Sequence, residues 1–215
     1  MKNIIRNILR GIVPVFLYNY LLKKRNVKLL AAWEKNGHPF PVPHILKENV
    51  IHKIQQKTSY SILIETGTLR GNMIEAQKKI FKKIFSVEIN NVLYKNAKAR
   101  FKRNKNVTIL HGDSSIILPK ILKELHEPAI FYIDAHYVEG ISEKGSKITP
   151  IIDELKAILK SKPFNHIILI DDAHYFNGEN GYPNINKLNQ IIKANRSNYT
   201  MKIENDIIIF DFKNP

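Results

Sequence analysis

The 215-residue chain contains no cysteine. That excludes a disulfide framework, thiolate metal sites and a cysteine nucleophile, and it fits a reducing, cytoplasmic setting. No glycine- or serine-rich linker, low-complexity tract or internal repeat breaks the sequence, and its length suits one domain with a sizeable core plus an extension. Acids are outnumbered: 19 Asp and Glu against 34 Lys and Arg leave a formal net charge of +15. Such a balance points to nucleic acid, anionic lipid or acidic substrates; a composition rich in Lys, Ile and Asn, as AT-rich coding produces, gives the same number.

Residues 1–25 place Ile4, Ile5, Ile8, Leu9, Ile12 and Val13 at helical spacing, with Lys2, Arg6 and Arg10 on other faces. Pro14 interrupts, and the apolar run Val15–Leu22 ends in Lys23-Lys24-Arg25. That run is shorter than the roughly 20 residues a membrane span needs, and the lack of a small-residue cleavage site argues against a signal peptide. Two readings stay open: a helix packing on the main domain or on a second subunit, as in a homo-oligomer, or a basic amphipathic segment on the inner membrane surface. Deleting residues 1–25 separates them, since only the membrane reading expects liposome sedimentation to be lost. Residues 26–46, with Gly37, Pro39, Pro41 and Pro43, read as a connector, because proline lacks a donor and restricts its predecessor. The expected division is therefore 1–46, a basic helical segment with a Pro-rich connector, and 47–215, the main domain.

From residue 47 the pattern alternates. A helix over 47–57 leads into the apolar run Ser61–Ile64, which stops at Glu65-Thr66-Gly67. Helices are predicted over Met73–Lys83, Asn91–Lys102, Ser115–Leu125, Pro150–Leu159 and Ile185–Ala194, and strands over Ile84–Glu88, Val107–Leu110, Ala129–Ile133 and His166–Ile170. Tyr199–Glu204 and Ile207–Phe212 read as a hairpin turned at Asn205-Asp206. Repeated strand–helix units imply a Rossmann-like, doubly wound, mostly parallel α/β sheet with right-handed crossovers, and the C-terminal hairpin adds an antiparallel strand.

In this reading the first five strands end in acid: Glu65, Glu88, Asp113, Asp134 and Asp171. Ligands of open α/β sheets sit outside the carboxyl ends of the strands, where a carboxylate is costly unless something binds it. Glu88, about 20 residues after the glycine turn, suits the two hydroxyls of a ribose. Asp113 suits an exocyclic adenine amine, and Glu65 a cationic ammonium. A ligand with ribose, adenine and an amino-acid tail satisfies all three, and S-adenosylmethionine is that ligand. NAD fits less well, because its phosphates prefer GxGxxG and this turn is GxxxG after an acid.

The set IETGTLRG, FSVEIN, ILHGDS and FYIDAH, in this order and spacing, resembles the class I S-adenosylmethionine-dependent methyltransferases over about residues 58–212. The resemblance implies a seven-stranded sheet with a reversed last strand. It places Glu65, Gly67 and Gly71 along the methionine part, Glu88 at the ribose and Asp113 at the adenine, with Thr68 and Ser114 completing the cofactor-binding set. More narrowly, IDAHY and ILIDDAHYF resemble the metal-dependent O-methyltransferases that act on sugars in macrolide and aminocoumarin biosynthesis. That implies a divalent cation such as Mg²⁺ on Asp134, Asp171 and Asp172, lowering the pKa of an acceptor hydroxyl on a sugar, glycan or other small molecule. Asp134 and His136 are then the catalytic pair, with His136 taking the proton and His174 its rival. The loops Tyr137–Thr149 and Asn177–Pro183 are expected to recognise the acceptor.

Two other functions fit parts of the pattern. The +15 charge favours an RNA methyltransferase, against which stand the missing cysteine and the missing Asn-Pro-Pro-Tyr-like motif after the fourth strand. A non-catalytic nucleotide-binding module fits the glycine turn but leaves the acid rim without a purpose.

Overall fold

The computed structural model describes residues 15–134 and 149–213. The chain divides into two compact units, Met1–Leu46 and Lys47–Pro215. In the first, helix α1 spans Val15–Lys35. The expected connector is therefore shorter than its predicted 26–46. Residues 26–35 carry Leu, Ala, Glu and Lys without proline or glycine, so nothing stops the helix before Gly37, whose φ of 75° ends it. The turn that follows is tied down by Trp33 Nε1 donating to Pro39 O at 2.7 Å. The part of the amphipathic pattern in residues 1–14 lies outside the described residues. No helix among those described is long and apolar enough to cross a membrane.

The second unit is built on a seven-stranded sheet. Helix α2 spans His44–Thr58, so its first turn begins just ahead of this unit. Then follow β1 Ile62–Thr66, α3 Asn72–Gln77, β2 Lys83–Glu88, α4 Asn91–Phe101 and β3 Val107–His111. After these come α5 Ser114–Lys123, β4 Ala129–Ile133, α6 Ile151–Lys160, β5 Ile167–Ile170, a short 3₁₀ turn Ala173–Tyr175, α7 Ile185–Asn195, β6 Tyr199–Glu204 and β7 Ile207–Phe212. The strand order is β3-β2-β1-β4-β5-β7-β6, parallel from β3 to β5, with β7 antiparallel to both neighbours. The expected architecture, C-terminal hairpin included, is present.

β1, β4 and β5 are buried along their whole length, which is why they read as continuous apolar runs rather than alternating ones. Their side chains feed two cores. One face packs Leu63, Ile84, Ile130 and Leu169 against α2, α3 and α4; the other packs Ile64, Phe131, Ile168 and Phe210 against α5, α6 and α7. The helices start where the sequence offers caps. Asn90 accepts from Val92 N and Leu93 N, Asp113 from Ser115 N, and Asn184 from Lys187 N.

Helix α3 is shorter than predicted, ending at Gln77 instead of Lys83. The Asn106 side-chain amide, ahead of β3, donates to Lys78 O at 2.8 Å and to Phe81 O at 3.0 Å. Those carbonyls are thereby satisfied outside a helix, and Phe81 turns into the core at 2% exposure. Replacing Asn106 with Ala strands both carbonyls and should destabilise the fold by about 1–2 kcal/mol in urea denaturation; an unchanged midpoint would show that the amide is dispensable.

Candidate active site

Strand order reverses between β1 and β4, and the crevice at their carboxyl ends is where open α/β sheets place ligands. The turn leaving β1 lies over the end of β2. Gly67 N and Thr68 N both donate to Val87 O, at 2.9 and 3.1 Å, and Gly71 N closes the turn on Thr68 O at 2.7 Å. Gly67, Leu69 and Gly71 all have positive φ, of 87°, 47° and 66°. At Gly71 a Cβ would meet Phe101 Cε2 at 2.5 Å, so the position needs glycine both for its backbone and for α4 to pack against it.

Glu65 sits beside this turn at 3% exposure. Its register partners are Ser86 on β2 and Tyr132 on β4. Ser86 Oγ makes a short hydrogen bond to Glu65 Oε2, and Thr68 Oγ1 lies 2.6 Å from the same Ser86 oxygen. Burial pushes the Glu65 carboxyl up to about 8; the Ser86 bond opposes the rise and Glu88 adds to it. Glu88, 4% exposed, accepts from Leu69 N at 2.7 Å and from Asn90 N at 2.9 Å, one on each oxygen. It therefore joins the glycine turn to the start of α4, and any ribose contact adds to those bonds.

Asp113 Oδ1 accepts from both Ser115 N and Ser115 Oγ, which anchors the first turn of α5. Ser114, the first residue of that helix, is 6% exposed. Beneath it lies Glu154 of α6, fully buried near the hydroxyls of Ser114 and Thr66 without a well-aligned bond to either. Burial pushes the Glu154 carboxyl up to about 7, and those hydroxyls oppose the rise.

The second half of the site lies past β4 and β5. Asp134, Asp171 and Asp172 each offer an oxygen within 4.8 Å of the others. Asp134 N continues the ladder to Thr66 O at 3.0 Å, and Asp171 N does so to Ile133 O at 3.0 Å, which is how two strand ends bring these acids together. Asp172 has left-handed backbone, φ 53° and ψ 54°, a conformation aspartate tolerates better than most residues. Tyr132 donates a short hydrogen bond to Asp171 Oδ2. Lys47 of α2 places Nζ 2.7 Å from Asp171 Oδ1 and 2.6 Å from Asp172 Oδ1. Desolvation, with Asp171 and Asp172 nearby, raises the Asp134 carboxyl well above the ordinary range. Burial also raises Asp171, against the pull of Lys47. Burial works against the Lys47 charge, yet the two aspartates hold its ammonium above the usual lysine value.

His174 stands on the same rim, its Nδ1 2.6 Å from Asp206 Oδ2, while its backbone N–H donates to Asp206 Oδ1 at 2.9 Å. Asp172, His174 and Asp206 form a second group whose ligand atoms lie within 4.8 Å of one another. His136 and the loop over 135–148 lie outside the described residues. The segment Asn177–Pro183 is described: Asn177 bridges to Asn184, and Tyr182 stacks on Tyr175 with ring centroids 5.4 Å apart.

The structure thus gathers the sequence-predicted residues into two adjoining groups. Glu65, Gly67, Thr68, Gly71 and Glu88 meet at β1 and β2, with Asp113 and Ser114 at the head of α5; Asp134, Asp171 and Asp172 meet at β4 and β5. Sequence reasoning missed Ser86, Tyr132, Glu154 and Lys47. The first two carried a signal, a polar residue inside an otherwise apolar strand (FSVE, FYID). Lys47 carried none, being one of many lysines on a helix.

The raised Glu65 carboxyl has a measurable consequence. Its folded pKa lies above its unfolded value of about 4.3, so the folded form holds the proton more tightly and stability falls as pH rises from that value to about 8. Glu65→Gln should flatten this part of the profile of thermal midpoint against pH in the ligand-free protein; an unaltered slope would refute the assignment.

No protein-family model and no curated protein matches the sequence. Solved structures do match. The O-methyltransferase TomG of Streptomyces achromogenes, involved in tomaymycin synthesis and solved with S-adenosylmethionine, aligns at TM-score 0.61 and 14% identity over 88% of this chain and 89% of its own. The O-methyltransferase of Bacillus cereus, solved with S-adenosylhomocysteine, aligns at 0.58 and 16% identity over 88% and 90%. The Podospora anserina methyltransferase PaMTH1, also bound to S-adenosylhomocysteine, aligns at 0.55 and 16% identity over 86% and 88%. The fold of this chain is that of the class I S-adenosylmethionine-dependent methyltransferases.

Proposed function

We propose that residues 47–215 form an S-adenosylmethionine-dependent O-methyltransferase domain that acts on a hydroxyl of a sugar, glycan or related small molecule with divalent-metal assistance. The observation that carries this is the convergence of Asp134, Asp171 and Asp172 within 4.8 Å of one another, near the buried Glu65 and Glu88 carboxylates. Two buried carboxylates beside a glycine turn suit a cationic, ribose-bearing cofactor. In this reading Glu65 faces the ammonium, Glu88 the ribose and Asp113 the adenine, with Gly67, Thr68, Gly71 and Ser114 shaping the walls.

The three aspartates are hard oxygen donors of the kind Mg²⁺ takes, and Asp171 Oδ1 already faces a cation, the Lys47 ammonium at 2.7 Å. A divalent ion held there would supply Lewis acidity toward an acceptor hydroxyl. The chain's own part is to orient that hydroxyl and receive its proton. His174 is supported as the base by Asp206, which holds its Nδ1 and its backbone N–H, and His136 is the alternative. The acceptor oxygen then takes the sulfonium methyl, the sulfur–carbon bond breaks, and S-adenosylhomocysteine leaves with sulfur neutral. The lack of cysteine supports a reducing, cytoplasmic setting.

Asp134→Asn and Asp171→Asn should each lower methyl transfer by about a hundredfold or more, while S-adenosylmethionine binding by calorimetry stays close to wild type. Full transfer by both variants in EDTA would refute the metal assignment. The +15 charge supports a second reading, an RNA acceptor. That reading expects RNA binding that weakens steeply with salt, and the small-molecule reading expects none.

A further inference from the structure

We propose that Lys47 is a built-in counter-cation of the acidic cluster, and that a divalent ion takes its place on Asp171 and Asp172 by displacing the lysine ammonium. The inference rests on the metal reading above and adds a residue outside every motif that supports that reading.

The two oxygens of Asp171 have different partners. Oδ2 takes the Tyr132 hydroxyl, which leaves Oδ1 for any cation. Lys47 Nζ stands 2.7 Å from that oxygen and 2.6 Å from Asp172 Oδ1. A hard ion binds carboxylate oxygen at about 2.0–2.1 Å. An ion on these two oxygens would therefore crowd the ammonium that already bridges them, and the two positive charges would repel at short range. Lys47 is 6% exposed, so water would screen that repulsion poorly.

The lysine bridges the two acids. It donates a hydrogen bond to Asp172 Oδ1 and forms an ion pair with Asp171 Oδ1. An ammonium on a four-carbon stem is also a compact charge that can swing aside, which a planar guanidinium seated on both acids would resist. The charge count points the same way. One ammonium bridges two of the three acids, and a divalent ion brings twice its charge to the same oxygens. Occupancy should then follow the free divalent-ion concentration, with Lys47 setting the threshold.

The test is Mn²⁺ titration of the full chain, followed by the loss of the free-ion EPR signal. Lys47→Met should tighten Mn²⁺ binding by about tenfold or more. Lys47→Arg, which keeps the charge and grips both acids, should weaken it by a similar factor. The arginine variant preserves the ion pair, so it stays informative if Lys47→Met fails to fold. Wild-type binding that neither substitution changes would overturn the displacement idea and leave the metal reading standing. No Mn²⁺ binding by wild type or by either variant would overturn both.

Discussion

Carboxylates gathered at one edge of a sheet repel each other and lose water, and the contacts of this rim follow from that constraint. Glu65, Glu88, Glu154 and Asp171 are all buried there, in a chain with 34 cationic side chains to 19 anionic ones. Each is accommodated differently. Glu88 is satisfied by two backbone N–H groups, Glu65 by a serine hydroxyl, Asp171 by a lysine and a tyrosine, and Glu154 by no aligned partner at all. Glu88 joins the glycine turn to the start of α4 and keeps acceptor capacity on both oxygens. Glu65, served by one neutral donor, is left with its carboxyl raised by burial.

The fold was legible because its strands are buried on both faces. Runs such as ILIET and AIFYI exclude alternation, and the helices between them follow a different period. The acids at the strand ends were legible for the same reason, since a charge closing an apolar run stands out. What could not be read was anything depending on contact across the sequence. The early end of α3 depends on Asn106, nearly thirty residues further on. The occupant of the acidic cluster depends on Lys47, separated from Asp172 by 125 positions. α1 is longer than expected for a local reason: the three prolines beyond Gly37 outweigh a run before it that holds neither proline nor glycine.

The two halves of the site meet through one register row. Ser86, Glu65 and Tyr132 lie side by side on β2, β1 and β4. Ser86 turns toward Glu65, and Tyr132 toward Asp171. The two groups of acids are thus joined by side chains of neighbouring strands, Glu65 and Tyr132.

The hairpin turn at Asn205-Asp206 carries a consequence for how the molecule comes into being. Asp206 holds the backbone of Ala173 and His174, and β7 lies between β5 and β6 in the sheet. Those residues leave the ribosome after everything they organise. Until they do, β5 lacks its antiparallel neighbour and the His174 segment its anchor, so this rim can be completed only once the last strand is in place.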